Sequence, residues 1–380
     1  MTRALGDDPA SSPADDTVAT GGPVRPPFQA AGPRPLRVGL ASFAHVHAAG
    51  YAALLRDRPD VELRVADPDA GRATDAGVHP RGAELANRLG VQLVDSYAEL
   101  FDWCSAAVVC AETAWHRGVV QQAAAAGVSV LCEKPLATSV ADARAMLDAC
   151  AEAGVILMTA YPVRLHPDFL ALHEQVRAGR IGRVLSAQGT NNGRAPFTDR
   201  AWFADRVLAG GGALADHTVH LADLLGLLLD APPTRVYAQT NRILQGQHPL
   251  VSGGDIETGG LVGIDYADGT VATIDCSWSA PASYPAWGGL TLSLQGERGA
   301  AGLDAFSERL DLFDESCGSP RWPDYGTNLN ALLLEEFVEA VRTGRQGHPD
   351  GSAGLRTLAL VEAAYRSAQT GAPQPVPSTD

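Results

Sequence analysis

Long apolar runs, basic residues and paired cysteines are scarce in this sequence. No run approaches the roughly 18 apolar residues that span a bilayer, and no apolar core follows a basic N-terminus, so we expect neither a membrane span nor a secretory signal. The 29 Lys and Arg residues face 44 Asp and Glu, and the formal net charge of −15 repels phosphate backbones and anionic lipid head groups. We therefore expect no nucleic-acid partner and no membrane partner.

The six cysteines form no C-x-x-C pair and lie mostly in apolar stretches. This pattern is typical of buried, reduced thiols in a cytoplasmic protein rather than of a disulfide framework. Aromatic residues make up only 6% of the chain, but 46% hydrophobic residues still allow a sizeable core. A length of 380 residues suits about two domains of roughly 150 residues each.

The pattern of the chain changes along its length. Residues 1–35 hold seven prolines and no apolar periodicity, which predicts a disordered tail. Residues 36–160 alternate short apolar strands with helices, as βαβ units around a covered parallel sheet do. Residues 161–372 predict an α+β domain on a largely antiparallel sheet, with strands over 234–313, and residues 373–380 a second tail. The predicted fold class is α/β followed by α+β.

The first βα turn, read as Gly39 to Ala44, is the candidate site for a dinucleotide. A fingerprint would carry glycine at 39, 41 and 44, and only the first is present, so the motif match is weak. Small residues and backbone N–H groups at a helix start still suit a pyrophosphate, and an ordinary tight turn is the alternative. The predicted cofactor contacts here are Gly39, Ala41, Ser42, Phe43, Ala44 and His45.

Asp67 follows the second predicted strand, Val61–Ala66. A carboxylate at this place can bind the hydroxyls of an adenosine ribose and would repel a 2′-phosphate, which favours NAD over NADP. Because Asp67-Pro68-Asp69 also suits a turn, a turn or capping aspartate is the alternative.

The tripeptide Glu133-Lys134-Pro135 follows another apolar strand, Val128–Cys132. In an open parallel sheet, ligands bind outside the carboxyl ends of the strands. We therefore expect Lys134 to face the ligand, and a surface lysine at a strand end is the alternative.

A glycine run precedes a predicted helix that carries Asp216 and His220. Residues four apart share one helix face, and a carboxylate beside an imidazole can orient it and raise its pKa, which suits proton transfer. We expect His217 and Thr218 to point elsewhere. The alternatives are a structural Asp–His pair and a zinc site that includes His217. No matched ligands with metal-site spacing occur elsewhere, so we assign no metal.

Together these motifs resemble the family of glucose–fructose oxidoreductase, inositol dehydrogenase and MocA (Gfo/Idh/MocA). The resemblance implies a Rossmann domain that binds NAD(P) and an α+β domain whose open sheet mediates assembly, here into a homodimer or homotetramer. It also implies oxidation or reduction at a hydroxyl- or keto-bearing carbon of a sugar or cyclitol. It covers about residues 36–372 and rests on Leu36–Gly39, Val65–Asp69, Cys132–Ala137, Gly211–Asp216, His220–Asp223 and Phe337–Gly344.

The resemblance also implies roles for single residues. Lys134 would contact the nicotinamide ribose and the substrate, Asp216 would help to hold substrate hydroxyls, and His220 would move the proton. The further cofactor contacts are Ala111, Glu112, His116 and Glu133, and the further substrate contacts are Arg164, Asn191 and Trp202.

The sequence departs from the family in two places. Alanines replace two fingerprint glycines in the phosphate turn, and the stretch Gly71–Ala83 is longer than usual. Two other functions stay open: an enzyme that oxidises and re-reduces one sugar with no net oxidation, giving cleavage or epimerisation, and a non-catalytic dinucleotide or sugar sensor. A sensor has no need of a proton-transfer group, so Lys134, Asp216 and His220 argue against the second.

Overall fold

The protein was analysed as a computed structural model, which describes residues 34–72, 80–196, 200–244, 256–281, 288–307 and 326–379. The predicted N-terminal tail, apart from its last two residues, lies outside these ranges, and so do Cys317 and residues 308–313 of the predicted strand region. The five cysteines among the described residues are buried and unpaired, as expected. None of the described helices is long and apolar enough to cross a membrane.

Six short strands form the first sheet, all parallel, in the order β3-β2-β1-β4-β5-β6. This order is that of dinucleotide-binding folds, in which the order of the strands along the sheet reverses between β1 and β4. Both faces are covered, since all four residues of β4 are buried. The strands are β1 (Leu36–Ala41), β2 (Val61–Ala66), β3 (Gln92–Val94), β4 (Ala106–Val109), β5 (Ser129–Cys132) and β6 (Leu157–Thr159).

Five helices connect these strands: α1 (Ala48–Arg56), α2 (Gly82–Leu89), α3 (Tyr97–Trp103), α4 (His116–Ala125) and α5 (Val140–Ala153). The pattern of the sequence predicts helices at 47–58, 81–89, 116–126 and 141–153, and it predicts no helix at α3. Its signal was a serine N-cap followed by a glutamate: the Ser96 hydroxyl accepts from the backbone N–H of Glu99 at 3.2 Å. The apolar face of α3 is too short for its periodicity to stand out.

The second sheet has seven strands in the order β12-β11-β7-β10-β9-β8-β13. Only the β7–β10 pair is parallel among its described pairings, so the expected largely antiparallel sheet is confirmed. Residues 373–380, predicted as a tail, contain the edge strand β13. The strands are β7 (Val184–Gly193), β8 (Pro233–Asn241), β9 (Gly259–Tyr266), β10 (Val271–Ser277), β11 (Gly288–Gly296), β12 (Gly299–Asp304) and β13 (Gln374–Pro375).

One face of the second sheet is covered by helix, and the other is open as far as the described residues go. The remaining helices are α6 (Pro167–Arg177), α7 (Arg206–Ala209), α8 (Ala213–Leu228), α9 (Leu329–Thr343) and α10 (Gly351–Thr370). The leucines of α8 share a core with the inward side chains of β8 to β11. On the outward face, Tyr237, Leu261 and Val271 are 39%, 56% and 49% exposed.

The last two long helices join the two halves of the fold. Phe337 of α9 is fully buried in a core that also contains Val38 and Tyr51 of the first domain. In α10, Leu355 belongs to a core of the first sheet, whereas Leu360 belongs to that of the second. Residues assigned to the second domain by chain order therefore complete the first domain.

Candidate active site

The carboxyl end of β5 and the start of α8 meet through a buried ion pair. The ammonium Nζ of Lys134 lies 2.5 Å from Oδ1 of Asp216, and the side chains are 8% and 10% exposed. A buried charge is costly unless it has a partner of opposite sign. The structure therefore joins the two residues that the sequence placed at the site from distant parts of the chain.

The second carboxylate oxygen of Asp216 has two further neighbours. Its Oδ2 accepts from Nε1 of Trp278 at 2.9 Å and lies 3.1 Å from Nε2 of His217. Burial alone would raise the pKa of Asp216, but Lys134 and His217 outweigh it and hold this pKa well below its ordinary value. The expectation that His217 points elsewhere is wrong. Nδ1 of His217 is fixed as well, 2.7 Å from the carbonyl oxygen of Asn191.

His220 lies one turn after Asp216, and its ring meets Tyr161 edge-on with centroids 5.8 Å apart. Its Nδ1 is buried and has no hydrogen-bond partner within the described ranges. Burial, assisted by the positive charge of Lys134, lowers the pKa of His220 well below its ordinary value. The predicted rise of this pKa beside Asp216 is wrong, because burial outweighs the carboxylate. His220 is a neutral imidazole at neutral pH.

A carboxylate from another element fixes the start of α8. Oε1 of Glu257 accepts from the backbone N–H groups of Gly212 and Leu214 at 2.7 and 3.2 Å and from the hydroxyl of Tyr365 at 2.6 Å. These N–H groups belong to the helix end that has no intrahelical acceptor. A Cβ at Gly212 would lie 2.0 Å from the Glu257 carbonyl oxygen, so glycine is required there.

The first βα turn begins at Ser42, later than the expected start at Gly39. Gly39 and Ala41 lie within β1, and the turn starts at Ser42, whose φ is 75°. A Cβ at Gly39 would come within 2.9 Å of the Leu100 side chain, so this glycine makes room for α3. Its local role is packing between strand and helix.

Several polar groups of the turn already have partners inside the protein. The N–H of Ser42 donates to the Ala66 carbonyl at 2.7 Å and the N–H of His45 to the Cys110 carbonyl at 2.9 Å. The Ala44 carbonyl accepts from Nε1 of Trp202 at 3.0 Å. Phe43 and Ala44 are fully buried.

Two histidines of this turn converge on the glutamate at the end of β5. Oε1 of Glu133 lies 2.9 Å from Nδ1 of His47 and 3.4 Å from Nδ1 of His45. Within the described ranges these three residues, rather than Asp216, His217 and His220, have the spacing of metal ligands. Nδ1 of His47 shares a hydrogen bond with Glu133, and Nδ1 of His45 accepts the backbone N–H of His47 at 3.2 Å.

Asp67 lies in a buried cluster with an arginine that sequence reasoning did not single out. Arg81, from the long stretch Gly71–Ala83, places Nη2 2.9 Å from Oδ1 of Asp67 and Nη1 3.1 Å from Oε1 of Glu112. The side chains of Arg81, Asp67 and Glu112 are at most 3% exposed. Residues 73–79 of the stretch lie outside the described ranges.

The other predicted contacts are held by protein groups. The ring nitrogens of His116 each lie 3.1 Å from a carbonyl oxygen, one of them that of Ala111. Nε of Arg164 donates to Asp223 at 2.9 Å, and Asn191 donates to the His217 carbonyl at 3.1 Å. Direct contact of these side chains with cofactor or substrate stays a prediction.

Two family models match the chain. One, described as an oxidoreductase family with an NAD-binding Rossmann fold, covers residues 38–161, and the other, the GFO/IDH/MocA C-terminal domain, covers residues 169–301. The chain belongs to the Gfo/Idh/MocA family. The predicted family, the fold class and the assignment to the oxidoreductases are thereby confirmed.

Named relatives act on sugars and cyclitols. The chain is 28% identical to D-apiose dehydrogenase of Paraburkholderia graminis over 357 residues, 88% of this chain and 86% of the relative. It is 27% identical to inositol 2-dehydrogenase of Rhizobium meliloti over 310 residues, 79% and 89% of the two chains. The structure of GenD2 from gentamicin A biosynthesis, in complex with NAD, matches with a TM-score of 0.77 at 27% identity and covers 91% of this chain and 97% of GenD2.

Unpartnered polar atoms test whether the site suits a nicotinamide dinucleotide. Among the described residues, buried atoms without a hydrogen-bond partner include Nε2 of His45, Oε2 of Glu112 and Nδ1 of His220. Buried polar groups in proteins nearly always have a partner, so these atoms indicate that a polar ligand or water completes the site. His45 and Glu112 follow β1 and β4, and His220 lies on α8. The residues at these places therefore fit a nicotinamide dinucleotide.

The buried neutral histidines predict a loss of stability in acid. Burial lowers the pKa of His45 to about 3 although Glu133 opposes the shift. Because the unfolded chain binds the proton near pH 6.5, the contribution of His45 is complete above that pH and falls as the pH drops below it.

We expect the free energy of unfolding to fall from pH 7 to 5, and His45→Gln to reduce this fall by about 2 kcal/mol. Urea titrations of both proteins at the two pH values measure the difference. The same pH dependence in both would contradict a neutral, buried His45.

Proposed function

We propose that this chain is an NAD(P)-dependent dehydrogenase or reductase that interconverts a hydroxyl and a ketone on a sugar or cyclitol. The observation that carries the proposal is the buried Lys134–Asp216 pair one helical turn from the neutral His220. The sugar and cyclitol relatives support the substrate class.

His220 has the properties of a general base for a hydroxyl. A neutral imidazole with an unpartnered nitrogen can accept a proton, and proton transfer by a positioned side chain contributes about 10²–10⁴-fold to a rate. In the reverse direction the imidazolium returns the proton to the oxygen of the ketone. A bound nicotinamide supplies the hydride acceptor or donor.

Lys134 supplies positive charge where the oxygen loses its proton. Its ammonium carries three N–H donors, and contacts with Oδ1 and the carbonyl oxygen of Asp216 leave one for a substrate oxygen. A developing alkoxide is stabilised by fixed donors in a site that excludes water. Asp216 keeps Lys134 in place and holds the start of α8 against β5.

The charges at the ribose end of the proposed cofactor site favour NAD over NADP. Among the described residues, the guanidinium of Arg81 faces the two buried carboxyl groups of Asp67 and Glu112. With both carboxylates ionised, the cluster has a formal charge of −1, and a 2′-phosphate would add further negative charge. We therefore propose NAD as the cofactor.

The proposed reaction is tested by the absorbance at 340 nm, with NAD or NADP and a panel of inositols, aldoses and their keto forms. We expect NADH to form with at least one polyol. His220→Ala should lower kcat about 10²–10⁴-fold, since the proton acceptor is lost. His173→Ala, which changes a half-buried histidine of α6 outside the site, is the matched control and should leave kcat unchanged.

Three results would contradict this proposal. Undiminished turnover of His220→Ala would remove the assigned base. No change in absorbance at 340 nm with any compound of the panel, while NAD stays bound to the protein, would favour internal redox chemistry without net oxidation. No change in absorbance and no bound nucleotide would favour a sensor of sugars.

We also propose that the open face of the second sheet joins two copies of this chain. Tyr237, Leu261 and Val271 lie on this face, each more than one third exposed. Light scattering after gel filtration should show a homodimer or homotetramer, and Leu261→Asp should reduce the assembly by placing a charge in an apolar contact. Val207→Asp, at a 79% exposed position of α7, is the control. A monomeric wild type would contradict this assembly.

A further inference from the structure

All acceptor positions of Asp67 are used inside the protein. Oδ1 accepts from the Ser42 hydroxyl at 3.1 Å and from Nη2 of Arg81 at 2.9 Å. Oδ2 accepts from Nε of Arg81 at 3.3 Å and from the backbone N–H of Gly82 at 2.9 Å. A carboxylate offers about four lone-pair sites, so none is left for the two hydroxyls of a ribose.

Freeing Asp67 from Arg81 so that it could bind a ligand would destabilise the folded protein. The side chains of Arg81 and Asp67 are 3% and 0% exposed, and the guanidinium also holds Glu112. Breaking a buried ion pair by removing one partner is strongly destabilising because the other charge is left unpaired. A ribose hydroxyl is a neutral donor and does not replace a guanidinium beside two carboxylates. Asp67 is therefore the internal partner of Arg81.

Glu112 has the free acceptor that Asp67 lacks. It follows β4, next to β1 in the sheet, where the strand order of a dinucleotide-binding fold reverses. Arg81 holds its Oε1 at 3.1 Å, whereas Oε2 is buried and has no hydrogen-bond partner in the described part of the chain. The unpaired oxygen of a carboxyl group that is 1% exposed calls for a donor.

We propose that Glu112, rather than Asp67, is the carboxylate that binds a hydroxyl of the adenosine ribose, and that Arg81 positions it. This inference rests on the proposed function, because it names the residue that recognises the cofactor. Arg81 neutralises Asp67 and fixes Oε1 of Glu112, so that Oε2 is the oxygen left without a partner for the ligand to fill. The long stretch Gly71–Ala83 supplies this arginine.

The proposal assigns cofactor specificity to Glu112 as well. A charged carboxylate accepts from a 2′-hydroxyl and repels a 2′-phosphate. Replacing one oxygen by an amide nitrogen removes both effects with almost no change in size. The ratio of NADP to NAD affinity is thus a property that a structural role of Glu112 would not change.

The test is the dissociation constant for NAD and for NADP, measured by titration calorimetry on the full chain without substrate. Glu112→Gln should weaken NAD binding at least tenfold and lower the ratio of the NADP constant to the NAD constant at least tenfold, because a hydrogen bond to a charged group is lost. Its melting temperature should change little, because the amide oxygen can still accept from Arg81.

Two further variants separate recognition from folding. Asp67→Asn should lower the melting temperature, since its amide donors would face Arg81 and Gly82, but leave the constant for NAD within threefold. Glu84→Gln changes an exposed partner of Arg88 and is the matched control, with no effect on either quantity.

The outcomes distinguish this inference from the proposed function. Normal NAD binding by Glu112→Gln, with a large loss in Asp67→Asn, would assign the ribose to Asp67 and overturn the inference alone. Unchanged binding in both variants would show that water satisfies Oε2 and would also overturn it. A wild-type chain that binds neither dinucleotide would overturn the proposed function and this inference together.

Discussion

The rest of the site depends on the ion pair between Lys134 and Asp216. It joins the carboxyl end of a strand in the first sheet to the first turn of the helix that covers the second sheet. Glu257 fixes that turn from outside, and His217 and Trp278 hold the remaining oxygen of Asp216. Burial and the positive charge of Lys134 keep His220 neutral, and its Nδ1 has no hydrogen-bond partner within the described ranges.

Much of this arrangement could be predicted from the sequence because its signals are local. Strand and helix periodicity gave both sheets, and the residues around Lys134 and Asp216 resemble motifs of one family. The partners of Asp216 could not be predicted in the same way. Trp278 comes from the end of β10, and His217 reaches Asp216 from the next position of α8. The helix α9 completes the first domain from far along the chain.

At the proposed cofactor site, the position of a residue in a motif is a weaker guide to its role. Asp67 follows β2 as a ribose-binding aspartate would, but the arginine that saturates it comes from the stretch Gly71–Ala83, which has no recognisable pattern. Gly39 matches a fingerprint glycine by position, although the space it leaves is used by α3. In both cases the position in the sequence suggested one role, and a contact with a residue distant in the chain gives the side chain another. A local stretch of sequence does not predict such contacts, because their partners are far apart in the chain.

A double-mutant cycle on Lys134 and Asp216 tests the central claim most directly. The free energies of unfolding of Lys134→Met, Asp216→Asn and the double variant would be compared with wild type in urea at pH 7. We predict that each single change costs about 3–5 kcal/mol, because it leaves a buried group without its partner, and that the double variant is more stable than the sum by over about 1 kcal/mol. Losses that add to within about 0.5 kcal/mol would show that the two side chains act independently, and would contradict an active site organised by this pair.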